Sequence, residues 1–280
     1  MSEIADGGAG AVGRRPSEGG GVSASATETK LARIARYEAT YGSEYGFEAV
    51  MVAARRRIIL EMLRSSAHEV IVEVGCGADL LVDRAAAEGL IWSRWVIVEP
   101  GEGFAALGQE AARRHAGVTV VKAFIEDAVA QVASATEGGA DVVLCSSVLH
   151  EVDDERAVLT AMGRVLSGGG RLHVNVPNAT SLHRRLARAM KLIADEHELT
   201  ARNRALEQRR LYDLGSLVDL LQSAGFTVDE TGGYFLKPFT HDQMDTLEFV
   251  SDEMLTGLDE LGRELPDLAA EIYVNARFGL

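Results

Sequence analysis

The sequence predicts an α/β protein built on a mostly parallel sheet with helices on both faces. Three observations lead there. Val70-Ile71-Val72-Glu73-Val74 is a short apolar run holding a single acid, the pattern of a buried parallel strand. It exits into Gly75-Cys76-Gly77, after which Leu80, Leu81, Ala85 and Ala86 recur at helical spacing. Similar short apolar runs return at 95–98, 118–123, 141–145 and 171–176, with a helical pattern between the last two.

Composition bounds the function. The 280-residue chain is 47% hydrophobic, enough for one sizeable core. A formal net charge of −14 disfavours nucleic acid, whose phosphates reward Lys and Arg. The two cysteines, Cys76 and Cys145, sit apart in apolar strand contexts and make neither a disulfide framework nor a zinc site. No apolar run approaches the length of a membrane span, and the first residues lack the apolar core of a signal peptide. A cytoplasmic protein with no membrane partner is expected.

The glycine turn narrows the ligand. Strand, glycine turn and helix together aim free backbone N–H groups at a bound molecule. A nicotinamide dinucleotide site wants a third glycine in the G-x-G-x-x-G spacing, but Leu80 stands there and Asp79 would bring negative charge towards a phosphate. Glu73, two residues before the first glycine, suits a cation and can accept hydrogen bonds from an ammonium group. S-adenosylmethionine (SAM) carries an ammonium, a sulfonium and a ribose, and no phosphate. In the stretch Val72-Glu73-Val74-Gly75-Cys76-Gly77-Ala78 the chain resembles the class I SAM-dependent methyltransferases, and the resemblance runs from about Leu60 to the C-terminus. It implies SAM as cofactor, held by Gly75, Cys76 and Gly77. It also implies a seven-stranded sheet whose last strand runs antiparallel between strands five and six.

Residues 1–27 are rich in Gly, Ala and Ser and cannot bury enough surface to offset their ordering entropy, so a disordered tail is expected. A helical cap over 28–66 follows. Leu31, Ile34, Tyr37 and Tyr41 lie at helical spacing, Tyr45 is one turn on, and a second helix runs from Phe47 to Leu63. The resemblance implies that this cap folds over the cofactor and helps to make the substrate pocket. Tyr37 and Tyr41 are then substrate contacts, or else ordinary packing residues. The SAM-binding domain spans 67–280.

The second strand, Trp95 to Val98, ends at Glu99, and Pro100 stops it. An acid at this place can accept both ribose hydroxyls of a nucleoside. The resemblance places Glu99 on the SAM ribose, with Pro100 beside it. The third strand, Val118 to Ala123, leads into Phe124-Ile125-Glu126-Asp127, the loop that holds adenine in the family. Phe124 and Ile125 supply apolar surface there or belong to the core, and Glu126 or Asp127 can accept from the adenine amino group.

The fourth strand, Asp141 to Cys145, is followed by Ser146-Ser147-Val148-Leu149-His150-Glu151-Val152. Ligands of such sheets bind outside the carboxyl ends of strands, so this loop, Ser146 first, lies beside the sulfonium methyl. A helix from Glu155 to Leu166 closes at Ser167-Gly168-Gly169-Gly170, and the fifth strand is Arg171 to Val176. Residues 178–209 are too long for an ordinary connection and read as an inserted helical lid. Its Arg184, Arg185, Arg188 and Lys191 make either a face that attracts an anionic acceptor or a solvated helix surface. Tyr212 to Ala224 is an amphipathic helix. Strand six starts at Phe226 and continues past a Gly232-Gly233 kink to Pro238. One helix, His241 to Leu261, carries Leu247, Val250, Met254, Leu258 and Leu261 on its inner side, and Ile272, Val274, Ala276 and Phe278 alternate in the last strand.

Methyl transfer from a sulfonium is chiefly a matter of alignment, assisted by a base where the acceptor must lose a proton. His150 is the candidate catalytic base. His183, His241 and Asn175 are candidate substrate contacts. His150-Glu151 with Asp153 and Asp154 offers metal-ligand types, but adjacent loop residues seldom converge and His is a poor magnesium ligand, so no metal is expected. Val176-Pro177-Asn178-Ala179-Thr180-Ser181-Leu182-His183-Arg184 resembles segments of methyltransferases from sugar and natural-product pathways. The expected function is methyl transfer from SAM to an oxygen, next a nitrogen, of a small-molecule acceptor. A protein or peptide methyltransferase and a non-catalytic SAM-binding partner are the rival readings.

Overall fold

The computed structural model describes residues 23–41, 46–65 and 68–279. Its centre is a sheet of β1 (Val70–Val74), β2 (Arg94–Val98), β3 (Val118–Val121), β4 (Ala140–Ser146), β5 (Leu166–Pro177), β6 (Phe226–Tyr234) and β7 (Glu271–Phe278). The order is β3-β2-β1-β4-β5-β7-β6, and β7 alone runs antiparallel to its neighbours. Sheet class, strand number and the place of the last strand all match the expectation.

The side-chain period of two divides each strand between two helical layers. Val72 and Val74 face one layer with Val96, Val98, Val143 and Cys145. That layer is closed by α5 (Ile125–Thr136), α6 (Glu155–Val165) and α9 (Leu214–Ser223). Ile71 faces the other with Trp95, Ile97, Val142 and Leu144, under α2 (Glu48–Arg64), α3 (Leu81–Ala87) and α4 (Glu102–Arg114). Strands buried on both faces need apolar residues at every position, which is why they read as continuous runs.

The N-terminal helix, α1 (Ser23–Tyr41), starts inside the stretch expected as a tail; the rest of that stretch, and Tyr45, lie outside the described residues. The lid region holds two short helices, α7 (Leu182–Ala189) and α8 (Ala201–Ala205), joined by irregular chain. Three expectations are corrected. The expected turn at 167–170 is already strand, because Leu166 pairs with Ala140 across an irregularity in the β4–β5 ladder. Gly232 and Gly233 make no kink: the ladder irregularity lies at Val228/Glu230, and the glycines leave room for the Tyr273 ring and for Ala269 and Pro266. The single helix over 241–261 is two, α10 (His241–Asp245) and α11 (Asp252–Glu264), because the Ser251 side chain accepts from Met254 N and starts a new helix. Met254 and Leu261 are consequently exposed.

Candidate active site

Strand order reverses at β1, with β2 on one side and β4 on the other, and this is where open α/β sheets bind ligands. A cavity of about 630 Å³ opens there. Gly75, Cys76, Gly77, Glu99, Pro100, Phe124, Ile125, Glu126 and Ser146 all line it, as do Tyr37, His150, His183 and His241.

One wall is the expected cofactor side. Gly75 and Gly77 hold φ of +76° and +62°, conformations natural to glycine, and a Cβ on Gly75 would stand 2.5 Å from Val148 Cγ2. Gly75 N donates to the Val98 carbonyl at 2.9 Å, which fixes the turn against β2. The Glu99 carboxylate accepts from Cys76 N at 3.2 Å and Gly101 N at 2.8 Å. Burial pushes its pKa up to about 7 against those two donors. A carboxylate can accept about four hydrogen bonds, so Glu99 keeps capacity for hydroxyl groups. The hydroxyls of Ser146 and Ser147 are buried without a partner among the described residues. Ser147 adopts φ of +56° while its N–H donates to the Asn175 carbonyl. A glycine turn, an acid with spare lone pairs and two orphaned hydroxyls fit an amino-acid nucleoside, and Glu126 and Phe124 flank the third strand end. Ile125 lines the cavity and also belongs to the core beneath it.

Glu73 is not part of this wall. It is 1% exposed and absent from the lining, because the strand period turns it towards α2. Trp95 Nε1 donates to it at 3.0 Å and Arg56 Nη1 lies 3.4 Å away. The same guanidinium donates to the carbonyls of Cys76, at 3.1 Å, and Asp79, at 2.7 Å. Glu73 thus orients Arg56, and Arg56 clamps the glycine turn from behind.

Helix α1 crosses the mouth. Lys30 pairs with Glu126 at 3.1 Å and lies 5.0 Å from the Phe124 ring centre. Arg33 makes a two-point contact with Asp153, Arg36 pairs with Glu207 at 3.1 Å, and Glu38 accepts from Phe104 N. Tyr37 meets Phe104 edge-on. The Tyr41 side chain lies outside the described residues.

The opposite wall is a buried charged network. Arg55 of α2 pairs with Glu48, at 3.2 Å, and with Glu271 at the start of β7. Tyr234 donates to Glu271. Burial would raise the Glu271 pKa, yet the Arg55 charge together with the hydrogen bonds from Arg55 and Tyr234 holds the carboxylate low. Asn175 is fully buried and donates to Tyr234 at 3.0 Å and to Glu271 at 3.2 Å. It supports this network from below and does not line the cavity, contrary to expectation.

His150 is 2% exposed, its Nδ1 has no partner among the described residues, and its Nε2 lies 3.6 Å from Glu151 Oε1. Burial pulls its pKa down to about 4, with Glu271 opposing and Arg55 assisting, so the ring is neutral at pH 7. Burial likewise brings His241 down to about 3 and His183 well below the usual value. Among the described residues no group of three or more His, Cys, Asp and Glu could hold a metal.

Of the lid cations Arg184 alone is buried, at the cavity edge, while Arg185, Arg188 and Lys191 form the solvated helix surface that is one of the two expectations. Arg184 donates to the carbonyls of Glu196 and Glu198 at 2.7 and 2.6 Å, Arg185 to that of Thr180, and Arg188 pairs with Glu196. They fasten the irregular chain between α7 and α8. Sequence reasoning missed Arg55, Arg56, Glu48, Glu271 and Lys237. Arg56 left a trace: with Val52, Ile59 and Leu63 it falls on one helical stripe, a charge at a core position.

A family model described as a methyltransferase domain matches residues 47–231. A curated relative, the ubiquinone biosynthesis O-methyltransferase of Vibrio atlanticus, is 27% identical over 125 residues, 44% of this chain and 50% of its own. The chain therefore spans half the length of that relative. Among solved structures, the 1,6-didemethyltoxoflavin-N1-methyltransferase of Burkholderia thailandensis, with its substrate and S-adenosylhomocysteine bound, superposes with a TM-score of 0.55 at 16% identity, covering 94% of both chains. A SAM-dependent methyltransferase of Thermotoga maritima, described as a possible histamine N-methyltransferase, gives 0.51 at 18% identity over 88% of this chain and 99% of its own.

Proposed function

Since this chain belongs to the methyltransferase-domain family, and its cofactor is SAM, we propose that it methylates an oxygen of a small molecule held in the cavity, with His150 as the base. Nitrogen is the next choice of acceptor. The observation that carries this reading is the cavity itself, which joins the Gly75–Glu99 wall to the unpartnered Nδ1 of His150 beneath α1 and the lid. Such enclosure favours a small acceptor over a protein chain, which needs an open groove. The O-methyltransferase relative supports oxygen, and the toxoflavin and histamine names of the structural neighbours support a compact, polar acceptor. A place in natural-product or sugar metabolism belongs to the same proposal.

SAM supplies an electrophilic methyl group when bound. Glu99 accepts hydrogen bonds from vicinal hydroxyls at the β2 end, and the glycine turn, braced by Arg56, presents backbone to the amino-acid part. Helix α1 excludes water from above through Lys30, Arg33 and Glu38. Nδ1 of His150 takes the acceptor proton; burial and the Arg55 charge oppose the imidazolium that results and favour its prompt deprotonation, while Glu271 favours it. Incubation with SAM and a panel of phenols, hydroxy acids and amines, followed by mass detection of S-adenosylhomocysteine and of one added methyl, tests the reading. Turnover of oxygen acceptors supports it; no S-adenosylhomocysteine with any acceptor removes it.

A further inference from the structure

We propose that Lys237, with the imidazoles of His183 and His241, forms a subsite for a carboxylate carried by the acceptor, on the lid side of the cavity away from Glu99. This rests on the reading of the cavity as a cofactor and acceptor site. Lys237 lines the cavity and is 5% exposed. Other cations of the lining have partners: Lys30 has Glu126, Arg33 has Asp153, Arg55 has Glu271, and Arg184 has two carbonyls. The Lys237 ammonium makes no ion pair or hydrogen bond among the described residues. Buried charges are ordinarily paired, so an unpaired ammonium facing a cavity points to a partner that arrives with the ligand.

The backbone holds this lysine in place. Phe235, two residues earlier, sits at φ of +59°, an uncommon conformation for a bulky residue. Its carbonyl accepts from Ala270 N at 2.7 Å, and Leu236 N donates to the Leu258 carbonyl at 2.6 Å. The segment is therefore tied to the residue preceding β7 and to α11 before it reaches Lys237.

Two imidazoles share the cation's surroundings. The Lys237 charge adds to burial in keeping both His183 and His241 neutral, so each can offer one N–H. His183 Nδ1 engages Ser181 Oγ at 3.1 Å, which leaves Nε2, and His241 Nε2 makes no hydrogen bond among the described residues, with Glu48 Oε2 3.7 Å away. Charge selects a monoanion. Glu48, Glu271 and Asp242 act on Lys237, with Arg202 as a further cation, so a dianion such as phosphate would meet three acids across two cations.

The test uses the full chain loaded with S-adenosylhomocysteine at pH 7, titrated calorimetrically with formate, acetate, benzoate, benzamide and inorganic phosphate. Benzoate should saturate, benzamide should bind at least tenfold more weakly, and Lys237→Gln should weaken benzoate at least tenfold while the S-adenosylhomocysteine affinity stays within twofold. The subsite is overturned if no carboxylate binds, if benzamide matches benzoate, if phosphate binds more tightly than benzoate, or if Lys237→Gln changes nothing. Should Lys237→Gln fail to fold, His241→Gln carries the same test, with a weakening of at least threefold expected and no change overturning the proposal. A wild-type chain that does not bind S-adenosylhomocysteine defeats the cofactor reading instead.

Discussion

Arg33 of α1 faces Asp153, beyond the β4 loop, through two nitrogen–oxygen contacts of 3.2 and 3.1 Å, and so ties the N-terminal helix across the cavity mouth. Exposed pairs contribute about 0.2–1 kcal/mol, and this one is partly shielded. Arg33→Ala should raise the Kd for S-adenosylhomocysteine about threefold, corresponding to roughly 0.7 kcal/mol. The difference from wild type should shrink as salt is added, because screening weakens the wild-type tie. Calorimetry at two ionic strengths checks both points.

Arg56 and Glu73 make a separate prediction. Removing one partner of a buried pair leaves an uncompensated charge, so Arg56→Ala should lose about 3–5 kcal/mol of stability in denaturant unfolding. Glu73→Gln, by contrast, should bind S-adenosylhomocysteine within about tenfold of wild type, since at most a second-hand hydrogen bond of ~0.5–1.5 kcal/mol changes. Loss of binding in Glu73→Gln with unchanged stability would return the carboxylate to the cofactor ammonium.

His150 is expected to affect turnover and not cofactor affinity. His150→Ala should lower kcat by about 10²–10⁴-fold, the usual contribution of a positioned base. Its Kd for S-adenosylhomocysteine should be unchanged. Equal kcat in the two proteins removes His150 from the chemistry.

The ligand-free protein should lose thermal stability between about pH 7 and 8. Glu99 and Glu151 hold folded pKa values of about 7 and about 8, both raised by burial above the usual 4.5, so the folded chain keeps protons that the unfolded chain has released. Stability then falls as pH rises through those values. His150 and His173, at about 4 when folded, act oppositely: the unfolded chain takes up their protons below 6.5, and stability falls as pH drops towards 4. His183 and His241 act in the same direction as these two, and all four stop contributing only as the unfolded imidazoles lose their protons, about one unit above 6.5, so the acids dominate the slope between about pH 7 and 8; Lys237, lowered to about 8 by burial, opposes them from there upward. Differential scanning fluorimetry should record a falling Tm between about pH 7 and 8, flattened in Glu151→Gln.

Much of this arrangement is legible in the sequence, for reasons visible in particular residues. Continuous apolar runs mark the strands of Val72 and Trp95 as buried on both faces, and Gly75 and Glu99 mark two strand ends that meet at the cavity. Failures occur where tertiary partners decide. Glu73 reads as a ligand because its acid stands beside the glycine turn, but only the structure places Arg56 behind it. Arg184 reads as part of a basic face because the carbonyls it binds, those of Glu196 and Glu198, carry no signal in residue type. Ser251-Asp252-Glu253 does carry one, a helix start, hidden within an apolar stripe that seemed continuous. Lys237 stands alone in Tyr234-Phe235-Leu236-Lys237-Pro238, an isolated cation in an apolar run, and its meaning rests on the cavity it meets.

The central claim is that the carboxylate at the end of β2 receives the sugar of SAM. Calorimetric titration of S-adenosylhomocysteine into wild type and Glu99→Ala tests it most directly. A single saturable site in the wild type, weakened about 10–100-fold in Glu99→Ala through loss of charge-assisted hydrogen bonds, is the predicted result. Equal affinity in the two proteins, or no heat with the wild type, would contradict it.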